Sequence, residues 1–180
     1  MAACKPEGQS LQLAGMRTVL LPDDPRFPAA LRSIPRPPKR LYVLSDPEAL
    51  AEGLAVVGAR KATPYGIGAA KRFARLAAQR GIAVISGGAR GSDAAAHEAL
   101  SEGAPTVAFL GGGCDVPYPR EHAGLFERIA LSGGAVVSEH AWDAPALPQQ
   151  FRTRNRLIAG LARATLIVEA GLPSGTFSTA

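Results

Sequence analysis

The sequence predicts a doubly wound, mostly parallel α/β sheet of the extended Rossmann-like kind, preceded by a Pro-rich N-terminal arm. Three observations lead there. From Leu54 onward, short apolar runs alternate with longer stretches whose apolar residues recur at helical spacing. The runs and the helical stretches repeatedly end at glycine, the residue that stops a helix and turns the chain after a strand. The runs are also continuously apolar, the pattern of strands covered on both faces. Strands alternating with helices stack as β-α units with right-handed crossovers.

The elements follow in order. Residues 1–16 are polar and small and read as a frayed, disordered tail. Residues 17–53 carry Pro22, Pro25, Pro28, Pro35, Pro37, Pro38 and Pro47, so they read as an extended arm with a short helix near Ala29–Ser33 and a strand at Leu41–Leu44. The core occupies 54–180. Leu54–Val57 is a strand, and a helix runs from about Tyr65 to Gln79, with Ala69, Phe73, Leu76 and Ala77 as its apolar face and Gly81 as its stop. Ile82–Ile85 is the next strand, followed by a helix over Asp93–Glu102. Thr106–Leu110 leads into Gly111–Gly113, then a helix spans Glu121–Leu131. Ala135–Val137 is a strand, a loop over Ala144–Pro148 precedes a helix near Thr153–Leu161, and Leu166–Glu169 is the last strand.

Composition bounds what such a domain can be. With 180 residues, 47% apolar and 19% charged, the chain is long enough for a core and too apolar to be disordered. No run approaches the roughly 18 apolar residues of a membrane helix. Cys4 and Cys114 form no metal-binding spacing and no secreted disulfide framework, and the first fifteen residues lack a signal-peptide core, so the cytoplasm is the default compartment and no membrane partner is expected. The net charge is +5, and 16 of the 20 basic residues are Arg, the side chain suited to planar oxyanions and to stacking on rings.

In an open parallel sheet, ligands bind beyond the carboxyl ends of the strands. Those ends are here Gly58-Ala59-Arg60-Lys61, Ser86-Gly87-Gly88-Ala89-Arg90-Gly91, Gly111-Gly112-Gly113 and Gly171-Leu172-Pro173-Ser174-Gly175-Thr176. Glycine turns followed by helix N-termini present backbone amides to an anion, and Arg60 and Arg90 add charge. One such turn is ordinary in any α/β protein, and none matches a dinucleotide or Walker fingerprint; their repetition along one sheet edge is what points to an anionic ligand. A second constellation is Phe151-Arg152-Thr153-Arg154-Asn155-Arg156, within a stretch free of acids from Pro145 to Thr165. A ring beside guanidinium groups suits stacking on bases with pairing to phosphates. A plug for the preceding loop with a solvated basic face accounts for it equally well on composition alone.

No catalytic set emerges. His97, His122 and His140 are far apart, Ser86 and Ser174 lie outside any G-x-S-x-G elbow, and Asp115 and Glu139 lack a paired carboxylate or a His-rich metal motif. The sequence predicts a binding protein, with no catalytic residue, metal or cofactor, and His97 as a structural hydrogen-bonding residue.

Several motifs in order carry a family resemblance: Val57-Gly58-Ala59-Arg60, Thr63-Pro64-Tyr65-Gly66, Ser86 through His97, Leu110 through Asp115 with Tyr118-Pro119, Ser138-Glu139, Phe151 through Leu161, and Val168-Glu169-Ala170 with Ser174-Gly175. Over residues 20–180 the chain resembles the DprA/Smf family of DNA-processing proteins. The resemblance implies a cytosolic single-stranded DNA-binding protein of natural transformation that protects incoming DNA and promotes loading of the recombinase RecA, with self-association as a homodimer. It implies that Gly58, Arg60, Lys61, Ser86, Gly87, Arg90, Gly91, Gly111, Ser174 and Gly175 line a DNA phosphate pocket. Arg154, Asn155 and Arg156 would extend that pocket, and Phe151 would stack on a base. The family has Ser where this chain has Ala59 and a larger residue where it has Gly88, and its core continues beyond the equivalent of Ala180, so the core here reads as incomplete. The alternative is a nucleotide-binding protein of the related phosphoribohydrolase-like superfamily, enzyme or sensor. Against the enzyme, Pro173-Ser174-Gly175-Thr176-Phe177-Ser178-Thr179 supplies no carboxylate for a developing oxocarbenium charge.

Overall fold

A computed structural model describes residues 11–171. The described residues build one seven-stranded sheet in the order β1-β2-β6-β5-β4-β3-β7. Five strands are parallel: β3 (Gly53–Val57), β4 (Ala83–Ser86), β5 (Thr106–Phe109), β6 (Ala135–Ser138) and β7 (Ala162–Ile167). The arm contributes the other two. β1 (Arg17–Leu20) pairs antiparallel with β2 (Leu41–Leu44), and β2 pairs antiparallel with β6, with Val43 opposite Val137. The Pro-rich segment therefore extends the sheet, and β1 is a strand that the sequence pattern does not announce.

Helices cover both faces. On one lie α2 (Pro64–Ala78), α3 (Ser92–His97, continued as a 3-10 turn to Glu102) and α4 (Ala123–Leu131). On the other lie α1 (Ala29–Arg32) and α5 (Pro148–Leu161). The strands alternate accordingly: Ala55, Val57, Ile85, Val107, Phe109 and Val137 meet Leu157, Ile158 and Leu161 of α5, while Val56, Val84, Ala108 and Val136 face the other layer. Burying each large aliphatic side chain contributes about 1.5–3 kcal/mol. Among the described residues no helix is long and apolar enough to cross a membrane.

Four features differ from the sequence reading, each for a physical reason. Helix α2 buries Gly66, Ala70, Ala74, Ala77 and Ala78, whereas Phe73 is 42% exposed. Small side chains let α2 approach the alanines of α3 closely, and that turns the bulkier residues outward. Helix α5 begins at Pro148, before Thr153, because proline fits its first turn and Gln150 Oε1 accepts from the Leu147 amide at 2.6 Å. β7 begins directly after α5 and ends at Ile167, matching Ala55 with Thr165 and Val57 with Ile167. It is an edge strand with Arg163, Ala164 and Thr165 exposed, so no apolar run marks it. Finally, residues 11–16 are not a frayed tail: Leu13 is 3% exposed, and the Leu11 amide donates to Asp115 O at 2.6 Å.

Candidate functional site

The parallel strands all deliver their carboxyl ends to one edge of the sheet, and the turns that follow are tied together from beneath. Asp93, buried at the start of α3, accepts from the amides of Gly58, Gly87 and Ala89, so one carboxylate binds the turn after β3 to the turn after β4. Arg154 reaches the same place from α5. It is 4% exposed, and its Nη1 donates to Gly87 O at 2.8 Å and to Phe109 O. Gly87 lies between the two charges: a Cβ there would fall 2.6 Å from Asp93 Oδ2 and 2.7 Å from Arg154 Nη2. Gly91 has φ +76° and presses against Ala59 O, a conformation and a clearance that only glycine offers.

Burial sets the electrostatics of this scaffold. It pushes the Asp93 carboxyl up, against the pull of Arg154 and the three amides. It lowers the Arg154 guanidinium to about 10, still charged at neutral pH. His97 is fully buried, with Nδ1 2.6 Å from Thr106 Oγ1, and burial depresses it to about 3. It is the neutral structural residue expected from its place in the helix.

Above the scaffold opens a cavity of about 170 Å³. Arg60, Lys61 and Arg90 supply its cations, Gly87 and Ala89 its backbone floor, and Tyr118, Pro119 and Phe151 its apolar wall. The Phe151 ring lies 5.2 Å from that of Tyr118, tilted by 56°, and the Arg60 guanidinium sits 5.4 Å from the Phe151 centroid. Gly111 makes room for this ring, since a Cβ there would meet Phe151 Cδ1 at 2.9 Å. Arg60 and Lys61 are exposed and have no carboxylate partner among the described residues. Arg90 is paired with Glu121 at 2.5 Å, which holds the Glu121 carboxyl below its ordinary range.

Of the residues anticipated from sequence, Arg60, Lys61, Gly87, Arg90 and Phe151 line this cavity, and Gly58, Gly91 and Gly111 form its turns. Three others do different work. Ser86 is fully buried and donates its hydroxyl to Val56 O at 2.7 Å, because its side chain points into the α2–α3 layer. Arg154 is spent on backbone carbonyls inside the sheet edge. Arg156 grips Glu139 with both Nη atoms, at 2.9 and 2.6 Å, and donates from Nε to Arg36 O at 3.0 Å. Asn155, half-buried, accepts from Arg154 Nε at 3.3 Å. Ser174 and Gly175 lie outside the described residues.

Sequence reasoning gave no role to Tyr118, which is 47% exposed with its ring beside Phe151, although an aromatic residue flanked by Pro117 and Pro119 is a signal of a shaped loop. It also missed the clasp at the front of α2. Thr63 caps that helix and donates from both its amide and its hydroxyl to Glu169 Oε2, at 3.0 and 2.9 Å.

The profile of the DNA recombination-mediator protein A family matches residues 18–180. The chain belongs to the DprA/Smf family. It is 48% identical over 135 residues to a putative DNA processing protein DprA of Mycobacterium tuberculosis, covering 74% of this chain and 34% of that protein. It is 41% identical over 164 residues to Protein Smf of Escherichia coli, covering 89% of this chain and 44% of the relative. Among solved structures, DprA of Streptococcus pneumoniae superposes with a TM-score of 0.82 at 31% identity, over 91% of this chain and 58% of the other. DNA processing protein A of Helicobacter pylori, described for its single-stranded DNA binding mode, gives 0.81 at 31% identity, over 92% of this chain and 74% of the other. The chain thus spans about a third to a half of the length of these curated DprA/Smf relatives.

Proposed function

We propose that this DprA/Smf chain binds single-stranded DNA at the carboxyl edge of its sheet, with Arg60, Lys61 and Arg90 on phosphates and Phe151 stacked on a base. The observation that carries the reading is the pairing of two uncompensated cations, Arg60 and Lys61, with an accessible aromatic wall of Phe151 and Tyr118 in one cavity. The lining is cationic and aromatic, with no histidine, cysteine or carboxylate among its residues, which suits phosphates and a stacked base. The Helicobacter relative's single-stranded DNA binding supports the same ligand class.

In this reading Asp93 and Arg154 do not touch DNA. They hold the turns after β3 and β4 and the end of β5 so that the amides and the rim cations keep their spacing. Action in natural transformation, protection of the incoming strand, delivery of that strand to RecA and homodimer formation follow from kinship with the whole DprA/Smf protein, and belong to the proposal on that basis.

The test is a titration of labelled oligothymidylate across a range of salt. Affinity falls as salt rises, with a slope of about 0.7 per phosphate contacted on a log–log plot. Unchanged affinity in both Arg60→Ala and Phe151→Ala overturns the site. Saturable AMP binding with release of adenine overturns the reading in favour of an enzyme.

A further inference from the structure

A second cleft lies on the same sheet edge, where β2 begins and β6 ends. Its volume is about 490 Å³, and Arg36, Lys39, Arg40, Tyr42, Glu139 and Arg156 are among its walls. Four basic side chains against one carboxylate leave it a net charge of three positive units. Arg156 and Glu139 neutralise each other. Arg36, Lys39 and Arg40 are exposed and have no carboxylate partner among the described residues.

The cleft is built. Arg156 fastens two walls together, holding Glu139 after β6 and the carbonyl of Arg36 in the loop before β2. Arg36 itself sits at φ +56°, a left-handed conformation that a non-glycine residue holds only when its surroundings impose it. That conformation keeps its carbonyl on Arg156 while Lys39 and Arg40 stay on the rim. Tyr42 packs edge-on against Trp142, with centroids 5.3 Å apart, so the cleft offers charge in preference to a stacking platform. Helix α5 joins the two sites: Phe151 stands at the first cavity and Arg156 at the second, about 7.5 Å apart along the axis at 1.5 Å per residue. Arg152 is exposed between them in the sequence of that helix.

We infer that this cleft is a second phosphate-binding station for the same single strand. The first cavity reads a base and its phosphates, and the cleft holds backbone phosphates further along, so the occupied strand is longer than the cavity alone requires. This inference rests on the proposed DNA-binding function and adds a separate site to it.

The experiment is a length series of oligothymidylates titrated against the full chain, the Lys39→Ala/Arg40→Ala double variant and Arg60→Ala. With the unmodified chain, affinity rises once the oligonucleotide is long enough to reach both sites. In the double variant that gain disappears while the shortest bound oligonucleotide binds as before, and the salt slope for the long oligonucleotide drops by about 1.4, two contacts at roughly 0.7 each. Arg60→Ala weakens short and long oligonucleotides alike. Both cleft residues are exposed, so thermal melting is unchanged, and Lys39→Gln/Arg40→Gln must reproduce the result. No loss in the double variant at any length overturns the inference, as does equal loss at every length. If Arg60→Ala changes nothing while the double variant still loses its length gain, the first cavity is misassigned and the cleft stands.

Discussion

Arg154 and Arg60 carry the same side chain within one site, and burial gives them opposite tasks. Arg154 lies beneath the glycine turns at 4% exposure, its Nη1 committed to Gly87 O and Phe109 O and its charge facing Asp93. Arg60 lies above those turns, exposed, with the Phe151 ring as its near neighbour. A buried charge must be matched by partners or it unfolds its surroundings, whereas an exposed unmatched charge is available to a ligand. The site is therefore two layers, an ionic scaffold and a cationic, aromatic rim. Substitutions should separate them: scaffold changes act on stability, rim changes on DNA.

The largest effect is expected for Arg154→Leu, which leaves Asp93 buried without its counter-charge and should cost about 3–5 kcal/mol of folding free energy in a denaturant titration. A stability change confined to a few tenths of a kcal/mol would break the distinction. Next comes pH. His97 is held at about 3 in the folded protein against an ordinary 6.5, so the unfolded chain binds its proton first and stability falls as pH drops from about 6.5 toward 3. The slope from this group alone approaches 1.4 kcal/mol per pH unit, and His97→Gln should lose that much of the acid sensitivity, read as the difference between the two proteins' melting profiles. DNA affinity per folded molecule should not follow it. Phe151→Ala should cost about 1–3 kcal/mol of oligothymidylate binding. Arg60→Ala should lower the salt slope by about 0.7 and leave stability within about 0.5 kcal/mol. The smallest effect is Glu121→Ala, which releases Arg90 from its ion pair and should tighten binding slightly at low salt.

How far the sequence shows this arrangement depends on burial. β3 to β6 are covered on both faces, so their apolar runs stand out between glycines. β7 shows no such run because Arg163, Ala164 and Thr165 face outward at a sheet edge, and β1 is a four-residue edge strand within proline-rich surroundings. On α2 the bulky residues suggest one face, but the alanine row makes the closer packing and decides the other. The rim was legible as glycine turns with Arg60 and Arg90, since those residues meet at one edge whatever the packing. The division of Arg154 and Arg156 from Arg60 was not. Spacing places guanidinium groups on a helix but does not say which carbonyl or carboxylate each will reach, and those partners, Gly87, Phe109, Glu139 and Arg36, come from distant segments.

The most direct test of the two-layer account is a single salt-series titration of a short oligothymidylate against the unmodified chain, Arg60→Ala and Phe151→Ala, each confirmed as folded by melting. The account predicts weaker binding in both variants at unchanged melting temperature, with the salt slope reduced in Arg60→Ala and preserved in Phe151→Ala. Equal affinity and equal salt slope in all three proteins would contradict it.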